Sequence, residues 1–439
     1  MSDALQQETT DVLTRLIRHD TVNPPGNERV LQEELAAYLQ AAGLEVELIG
    51  RTEPRPNLIA RLRGKADGPT LCLLSHVDTV LAKADEWTHD PWSGHVDEAG
   101  ILWGRGALDM KNHTAAEVVA AASLARDGWR PERGDLLIVA VVDEEVGGAD
   151  GAIWLTENHP EKARCDYLLN EGAGALIEVE GDRTYGVCVA EKGVLRFRIS
   201  TDGVAGHASN PKMGVNSLLK MAPLLQRMAD HEAPFDLSDP ARALFAELGI
   251  PLDGDPEGAF RALQERDPAL ALLVEPTLRV TLAPTRIFAS DKINVIPSRT
   301  TVAVDCRTPP GADTDAALRR IHEVLGGEGY ALEITEEVIG NGSSADTPLM
   351  DAIRAFIDAE DPGARVLPTM LPAFTDSRTF RDAYPDLVAY GFFPMKHTTL
   401  ADSWPLVHAN DERIDTRDLG VATRAYRHIA QSLLGGAPD

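Results

Sequence analysis

Long apolar runs, paired cysteines and basic clusters are what this sequence lacks. No stretch approaches the roughly 20 consecutive apolar residues of a membrane helix, so a membrane-spanning protein is not expected. Only four cysteines occur among 439 residues, Cys72, Cys165, Cys188 and Cys306, and none forms a CxxC pair. Such spacing gives neither a disulfide framework nor a thiolate metal site. It suits small core residues of a reduced, cytoplasmic protein. Lys and Arg number 42 against 69 Asp and Glu, a net charge of −27. That balance argues against a nucleic-acid partner, because phosphate binding depends on clustered cations. The opening MSDALQQETTDVLTRLIRHD is polar and amphipathic, without the basic and apolar regions of a secretory leader. Internal repeats and low-complexity segments are absent as well.

What is present is a chain with 44% hydrophobic residues, ordinary for a globular protein and too long for one core, so two domains are expected. Leu13, Leu16 and Ile17, then Leu31, Leu35 and Leu39, recur at helical spacing, with Gly43 placed as a helix stop. The short apolar runs NLIARL, TLCLLS, LLIVAVV and DYLLN read as strands, and HTAAEVVAAASLARDG reads as a helix between two of them. This alternation predicts an α/β fold with a central, mostly parallel sheet. Near residue 192 the pattern changes. VLRFRIS puts Leu195, Phe197 and Ile199 on one side and Arg196, Arg198 and Ser200 on the other, the signature of a half-exposed strand. TLRVTL, TTVAVDCR and YALEITEE behave alike, with helices expected at about 213–229 and 313–325. The stretch 232–276 carries charge and helix signals but no sheet pattern. Thr347 and Pro348 then mark a helix start, DLVAYGFF is a further apolar run, and a last helix is expected near 416–434. The expected organisation is a discontinuous α/β domain, 1–191 and 339–439, carrying an inserted α+β domain, 192–338.

Ligands gather at the carboxyl ends of strands in an open α/β sheet. TLCLLSHVD ends in His76 and Asp78, LLIVAVVDEE in Glu144 and Glu145, and DYLLNE in Asn170 and Glu171, while ILWGRGALDMK brings Asp109 to a helix start. Singly, each has a plain structural reading as a hydrogen-bonded histidine, a helix cap or a solvated strand end. Together they present one imidazole and several carboxylates to one rim, where like charges repel unless a cation is present. His and carboxylate ligands suit zinc, and a carboxylate shared between two cations fits two-metal hydrolysis. The spacing of His76 and Asp78 suits a carboxylate that orients the imidazole ring. From an extended backbone Glu144 and Glu145 point apart, so one can bind metal while the other acts as a general base.

SHVDTV, WSGHVDEAGILWGRGALDMK, DEEVGG and GHASNPKMGVNSL, extended by INVIPSRTTVAVDCR and HANDERI, resemble the co-catalytic zinc hydrolases that include aminoacylase, acetylornithine deacetylase, succinyl-diaminopimelate desuccinylase and glutamate carboxypeptidase, metallopeptidase family twenty. The resemblance covers nearly the whole chain apart from 232–276. It implies that Asp109 bridges two divalent metal ions, zinc first, with cobalt or manganese as alternatives. His76 and Glu171 would complete one position, Glu145 and His408 the other. His408 is preferred to His397 because HANDE fits the family's His and downstream Glu, and His113 is taken as a helix-start residue. Glu144 matches the general base and Asp78 the carboxylate behind His76. The inserted domain matches the family's lid, which often forms a dimer, so a homodimer through the lid is one expectation. His207 matches a lid histidine that helps hold the oxyanion. Asn294 and Arg307 match substrate contacts, although Arg307 has Asp305 as an alternative partner. Pro372, Ala373 and Phe374 stand where the family usually has a glycine-rich approach to the aspartate, here Asp376, which marks a remodelled pocket.

The implied activity is hydrolysis of an amide in a small carboxylate-bearing substrate: a dipeptide, a C-terminal peptide or an N-acyl amino acid. Two rivals come from other classes. A catalytically silent metal-binding or interaction protein on the same scaffold would lack the base, yet every expected ligand and the base are present. A dinucleotide enzyme is suggested by GRGALD, but Asp109 replaces the third glycine of the fingerprint and would repel a pyrophosphate.

Overall fold

The computed structural model describes residues 2–179 and 181–435. Met1, Glu180 and residues 436–439, which fall in the segments expected for the α/β domain, lie outside them. The chain divides into two compact units. One comprises Met1–Val189, Ser343–Thr369 and Thr375–Asp439, the other Ala190–Gly342 and Met370–Phe374. Among the described residues no helix is long and apolar enough to cross a membrane, and all four cysteines are free and buried.

The first unit is built on a 10-stranded mixed sheet. Its centre is parallel: Asp135–Val141, Thr70–His76, Tyr167–Asn170 and Val388–Gly391 lie side by side, with Leu73 opposite both Ile138 and Leu169. Strands Asn57–Arg63 and Glu45–Ile49 extend one flank antiparallel. Strands Asp182–Glu191 and Ala175–Val179 turn antiparallel on the other flank, and Met395–Thr399 pairs parallel to the last of these. The central strands read as continuous apolar runs because both faces are covered. Alternate residues show it. Cys72, Leu74, Leu137, Val139 and Val141 share a cluster with Leu155 and Phe380, from helices Ala152–Asn158 and Asp376–Ala383. Their neighbours Leu71, Leu73, Leu136 and Ile138, facing the other way, are equally buried. Helices Ser2–Ile17, Lys111–Arg126 and Thr416–Leu434 pack on one another. Lys111–Arg126 is buried all round up to Ala125, which is why its sequence is rich in alanine rather than amphipathic. Gly43 follows helix Arg29–Ala41 at φ +91, the left-handed turn that ends it.

The second unit holds a 4-stranded antiparallel sheet in the order Thr281–Phe288, Arg299–Thr308, Gly193–Asp202, Ala331–Val338. Leu195, Phe197 and Ile199 point into a core shared with Met221, Leu224, Ile321 and Val324, from helices Ser217–Asp230 and Thr314–Leu325. The stretch without sheet pattern folds into helices Asp239–Glu247, Pro256–Arg266 and Pro268–Val274, the last two capped by Asp255 and Asp267. One strand differs from the sequence reading. TLRVTL was a strand candidate over 277–282, whereas the strand begins at Thr281 and runs to Phe288. The reason lies in long-range partners. Arg279 bridges Phe235, and its carbonyl accepts a bond from the buried Lys192 ammonium at 2.7 Å, which also binds the Pro276 carbonyl at 2.5 Å.

Ile138 is fully buried at the centre of the large sheet, so Ile138→Ala should cost about 2–5 kcal/mol of stability. Urea denaturation checks this, and a loss below about 0.5 kcal/mol would place the residue at a surface.

Candidate metal centre

Loops at the carboxyl ends of the parallel strands supply the site. Strand Thr70–His76 delivers His76 as its last residue, Asp135–Val141 leads into Asp143, Glu144 and Glu145, and Tyr167–Asn170 leads into Glu171. Asp109 stands just before helix Lys111–Arg126, and His408 comes from the loop ahead of strand Arg413–Asp415. The Asp109 carboxylate lies between two imidazoles: Oδ1 is 3.1 Å from His76 Nε2, and Oδ2 is 3.0 Å from His408 Nε2. Glu171 Oε1 is 3.7 Å from His76 Nε2, and Glu145 Oε2 is 3.2 Å from His408 Nε2. Ligand atoms of His76, Glu144 and Glu171 lie within 4.8 Å of one another, as do those of His76, Asp109 and Glu145. His397 is not among these residues; its backbone amide donates to Asp418. His113 packs its ring on Phe393 beneath the site.

Carboxylates this close repel, and among the described residues no lysine or arginine forms an ion pair with Asp109, Glu144, Glu145 or Glu171. Burial pushes Glu144 well above the usual carboxylate range, and Glu171, Asp376 and Glu145 add to the push against the pull of His76. Glu171 is raised in the same way, by burial and then by Asp109. The histidines take up the opposite charge. Hydrogen bonds to Asp109 and Glu145 push His408 up to about 10. Burial works against a charged His76, yet Asp109 and Asp78 raise it well above its ordinary value. A set of imidazole and carboxylate donors that can coexist only by binding protons fits divalent cations, which displace those protons and satisfy the same atoms. Asp109, with one oxygen toward each histidine, is placed to be shared.

The sequence suggested that Glu144 and Glu145 point apart from an extended backbone. Instead the strand stops at Val141, Asp143 adopts φ +75, and Glu144–Val146 forms a 3₁₀ turn that brings both carboxylates to the site. The turn is held by Asp78, expected from the sequence only behind His76, and by Asn23, Arg55 and Glu28, which carry no signal there. Asp78, fully buried, accepts from the amides of Glu144 and Glu145, both at 3.2 Å, and from Asn23 Nδ2 at 2.9 Å. The backbone carbonyl of Asp78 meets His76 Nδ1 at 3.0 Å, with its carboxylate at 3.6 Å. Asn23 also donates to Asp143 at 3.1 Å. Arg55 joins Asp143 and the buried Glu28, each at 2.8 Å, so an internal cation stands one layer behind the carboxylates. Gly148, at φ +73, has Asp376 Oδ1 only 3.1 Å from where a Cβ would sit, so this turn needs glycine. The GRGALD turn has a different occupant from a pyrophosphate: the Glu412 carboxylate takes the amides of Gly106, Leu108 and Asp109.

The remaining predicted residues belong to the second unit. His207 and Asn294 lie together, because strand Gly206–His207 pairs with Val295–Ile296 and the Ala208 amide donates to the Asn294 carbonyl at 3.0 Å. His207 Nδ1 lies 3.2 Å from the Ser209 amide and 2.8 Å from its hydroxyl. Arg307 donates from Nε to Asp305 at 2.7 Å, the pairing that the sequence left open.

A model of peptidase family M20/M25/M40 matches residues 72–432. A Dictyostelium discoideum protein described as "Probable carboxypeptidase S-like 2" is 26% identical over 82% of this chain and 71% of its own length. A succinyl-diaminopimelate desuccinylase of Xanthobacter autotrophicus is 26% identical over 94% of this chain and 96% of its own. Among solved structures, an M20 family metallo-carboxypeptidase from Sulfolobus solfataricus superimposes with a TM-score of 0.70 at 16% identity, covering 97% of this chain and 99% of that one.

The raised histidines set a pH dependence. In the metal-free protein His408 contributes stability that is fully present below its unfolded value of about 6.5 and is lost as pH rises through about 10. Zinc uptake at pH 7 should therefore release protons and weaken as the medium is acidified. Calorimetry in buffers of different ionisation enthalpy counts those protons, and a count of zero would contradict the electrostatics described.

Proposed function

Because the chain belongs to peptidase family M20/M25/M40, a family of metal-dependent hydrolases of amide and peptide bonds, we propose that it cleaves the amide of a small carboxylate-bearing substrate, a dipeptide, C-terminal peptide or N-acyl amino acid. The observation that carries the reading is Asp109 standing between His76 and His408 with Glu145 and Glu171 alongside. In this reading His76, Asp109 and Glu171 hold one divalent ion and His408, Asp109 and Glu145 the other, with zinc preferred for its affinity for imidazole and carboxylate. When bound, such ions supply an acidified water and polarise the carbonyl.

The chain's own residues do the rest. Glu144 is assigned no metal. Its half-buried carboxylate takes a proton from the attacking water and returns it to the departing amine. Asp78 fixes the His76 ring and, through the amides of Glu144 and Glu145, the turn that carries the base. His207 is assigned a hydrogen bond from its ring to the developing oxyanion. Arg307 keeps its Nη groups for a substrate carboxylate while Asp305 holds its Nε, and Asn294 is assigned a supporting substrate contact. The names of the relatives, a carboxypeptidase and a desuccinylase, support a substrate with a carboxylate near the scissile amide. The reading extends to a homodimer through the second unit, whose edge strand Thr281–Phe288 leaves Ile287 52% and Phe288 51% exposed and suits pairing with a second copy. Free, buried thiols support a reducing, cytoplasmic compartment.

Glu144→Gln should keep its metal and lose about 10²–10⁴-fold in kcat. Metal content and turnover on a panel of dipeptides, N-acetyl and N-succinyl amino acids test this together. A variant that turns over near the wild-type rate removes Glu144 from the base role, and one that loses metal makes it a ligand.

A further inference from the structure

The two metal positions proposed above are not built alike. His76 closes a central strand and is only 2% exposed, whereas His408 lies in a surface loop, at φ +60 and with its side chain 53% exposed. One buried ion pair joins that loop to the turn carrying Asp109. Arg105 Nη1 donates to Glu412 Oε2 at 2.6 Å, and the two side chains are 2% and 0% exposed. Glu412 Oε2 also accepts from the Gly106 amide at 3.2 Å, while Oε1 accepts from Leu108 at 2.6 Å and Asp109 at 3.0 Å. The other arm of the guanidinium, Nη2, donates to the carbonyls of Leu81 at 3.3 Å and His408 at 3.4 Å, with the Trp87 ring over its carbon. Glu412 thus anchors the bridging aspartate by its backbone, and Arg105 anchors the histidine by its backbone.

We infer, resting on the metal reading above, that Arg105 and Glu412 are positioning residues for the ion at Glu145 and His408, and that the position at His76 and Glu171 fills independently of Arg105. The asymmetry follows from what else holds each ligand. Asp109 is also fixed by helix Lys111–Arg126, buried on every side, which begins two residues later, and Glu171 by its strand. At Glu412 the loop is tied by the Gly104 amide, which donates to its carbonyl at 3.0 Å, and at His408 itself by Arg105; Asn410 to Glu86 and Asp411 to Thr88 are exposed bonds that water can replace. A planar fork reaches Glu412 and the two carbonyls at once, and a lysine ammonium at the end of a flexible stem does not.

Arg105→Lys keeps a buried positive charge beside Glu412 and gives up the fork. Zinc titration against a chromophoric chelator should show the weaker-held ion losing about 10–100-fold in affinity while the tighter one is unchanged. Glu412→Gln should weaken the same ion. Hydrogen exchange of the wild-type, metal-free protein gives a readout that needs no variant: the Leu108 and Asp109 amides should exchange slowly, and rapid exchange overturns the clamp. Equal affinities for both ions in wild type and Arg105→Lys overturn the inference, as does an equal loss at both positions, which makes the pair merely structural. A wild-type protein that binds no zinc refutes the metal reading itself, a result distinct from either.

Discussion

Mutual repulsion among Asp109, Glu144, Glu145 and Glu171 is the constraint on which the rest of the molecule depends. At separations of a few ångströms in a medium of reduced dielectric, unlike the open solvent around surface carboxylates, each pair costs on the order of several kcal/mol. Among the described residues no lysine or arginine pairs with the cluster to offset that cost. His76 and His408 can carry protons, and Glu144 and Glu171 can retain them, but a divalent cation does both jobs with one charge centre. Placed at the ends of three parallel strands, this arrangement fits divalent metal.

Holding such groups together requires a scaffold that cannot relax. The central strands are buried on both faces, so their ends are fixed in position, and the side chains that follow them inherit that rigidity. Behind the cluster lies a layer of opposite logic: Arg55 between Glu28 and Asp143, and Asn23 between Asp143 and Asp78, are satisfied internally. The ligands are left electrically unsatisfied, and their supports are not. The second unit carries His207 on a short ribbon and Arg307 on an antiparallel sheet, the residues that the proposed function assigns to the substrate.

Local patterns made much of this legible. TLCLLSHVD and LLIVAVVDEE announce buried strands that end in candidate ligands, because period and length are properties of a segment by itself. The N-cap Thr347, the stop at Gly43 and the alternating VLRFRIS were readable for the same reason. What could not be read were partnerships between distant segments. Arg55 looks like any charged loop residue, and nothing near it indicates Glu28 or Asp143. The start of strand Thr281–Phe288 is displaced by Lys192, almost ninety positions earlier in the chain. The turn that swings both Glu144 and Glu145 inward depends on Asp143 at positive φ, which Asp78, Asn23 and Arg55 stabilise jointly, and a strand-like sequence hides it. Arg307 illustrates the limit in another way: its Asp305 partner is two residues off and was visible, but whether the pair forms is decided by the sheet.

The central claim is that these carboxylates exist to hold divalent metal. The most direct measurement is the metal content of freshly purified protein by mass spectrometry, before and after chelation, with amide hydrolysis followed on the same samples. The account predicts about two zinc-class ions per chain, activity lost with their removal and regained on their return. Protein that carries no metal, takes none up and hydrolyses amides at an unchanged rate after chelation would contradict it.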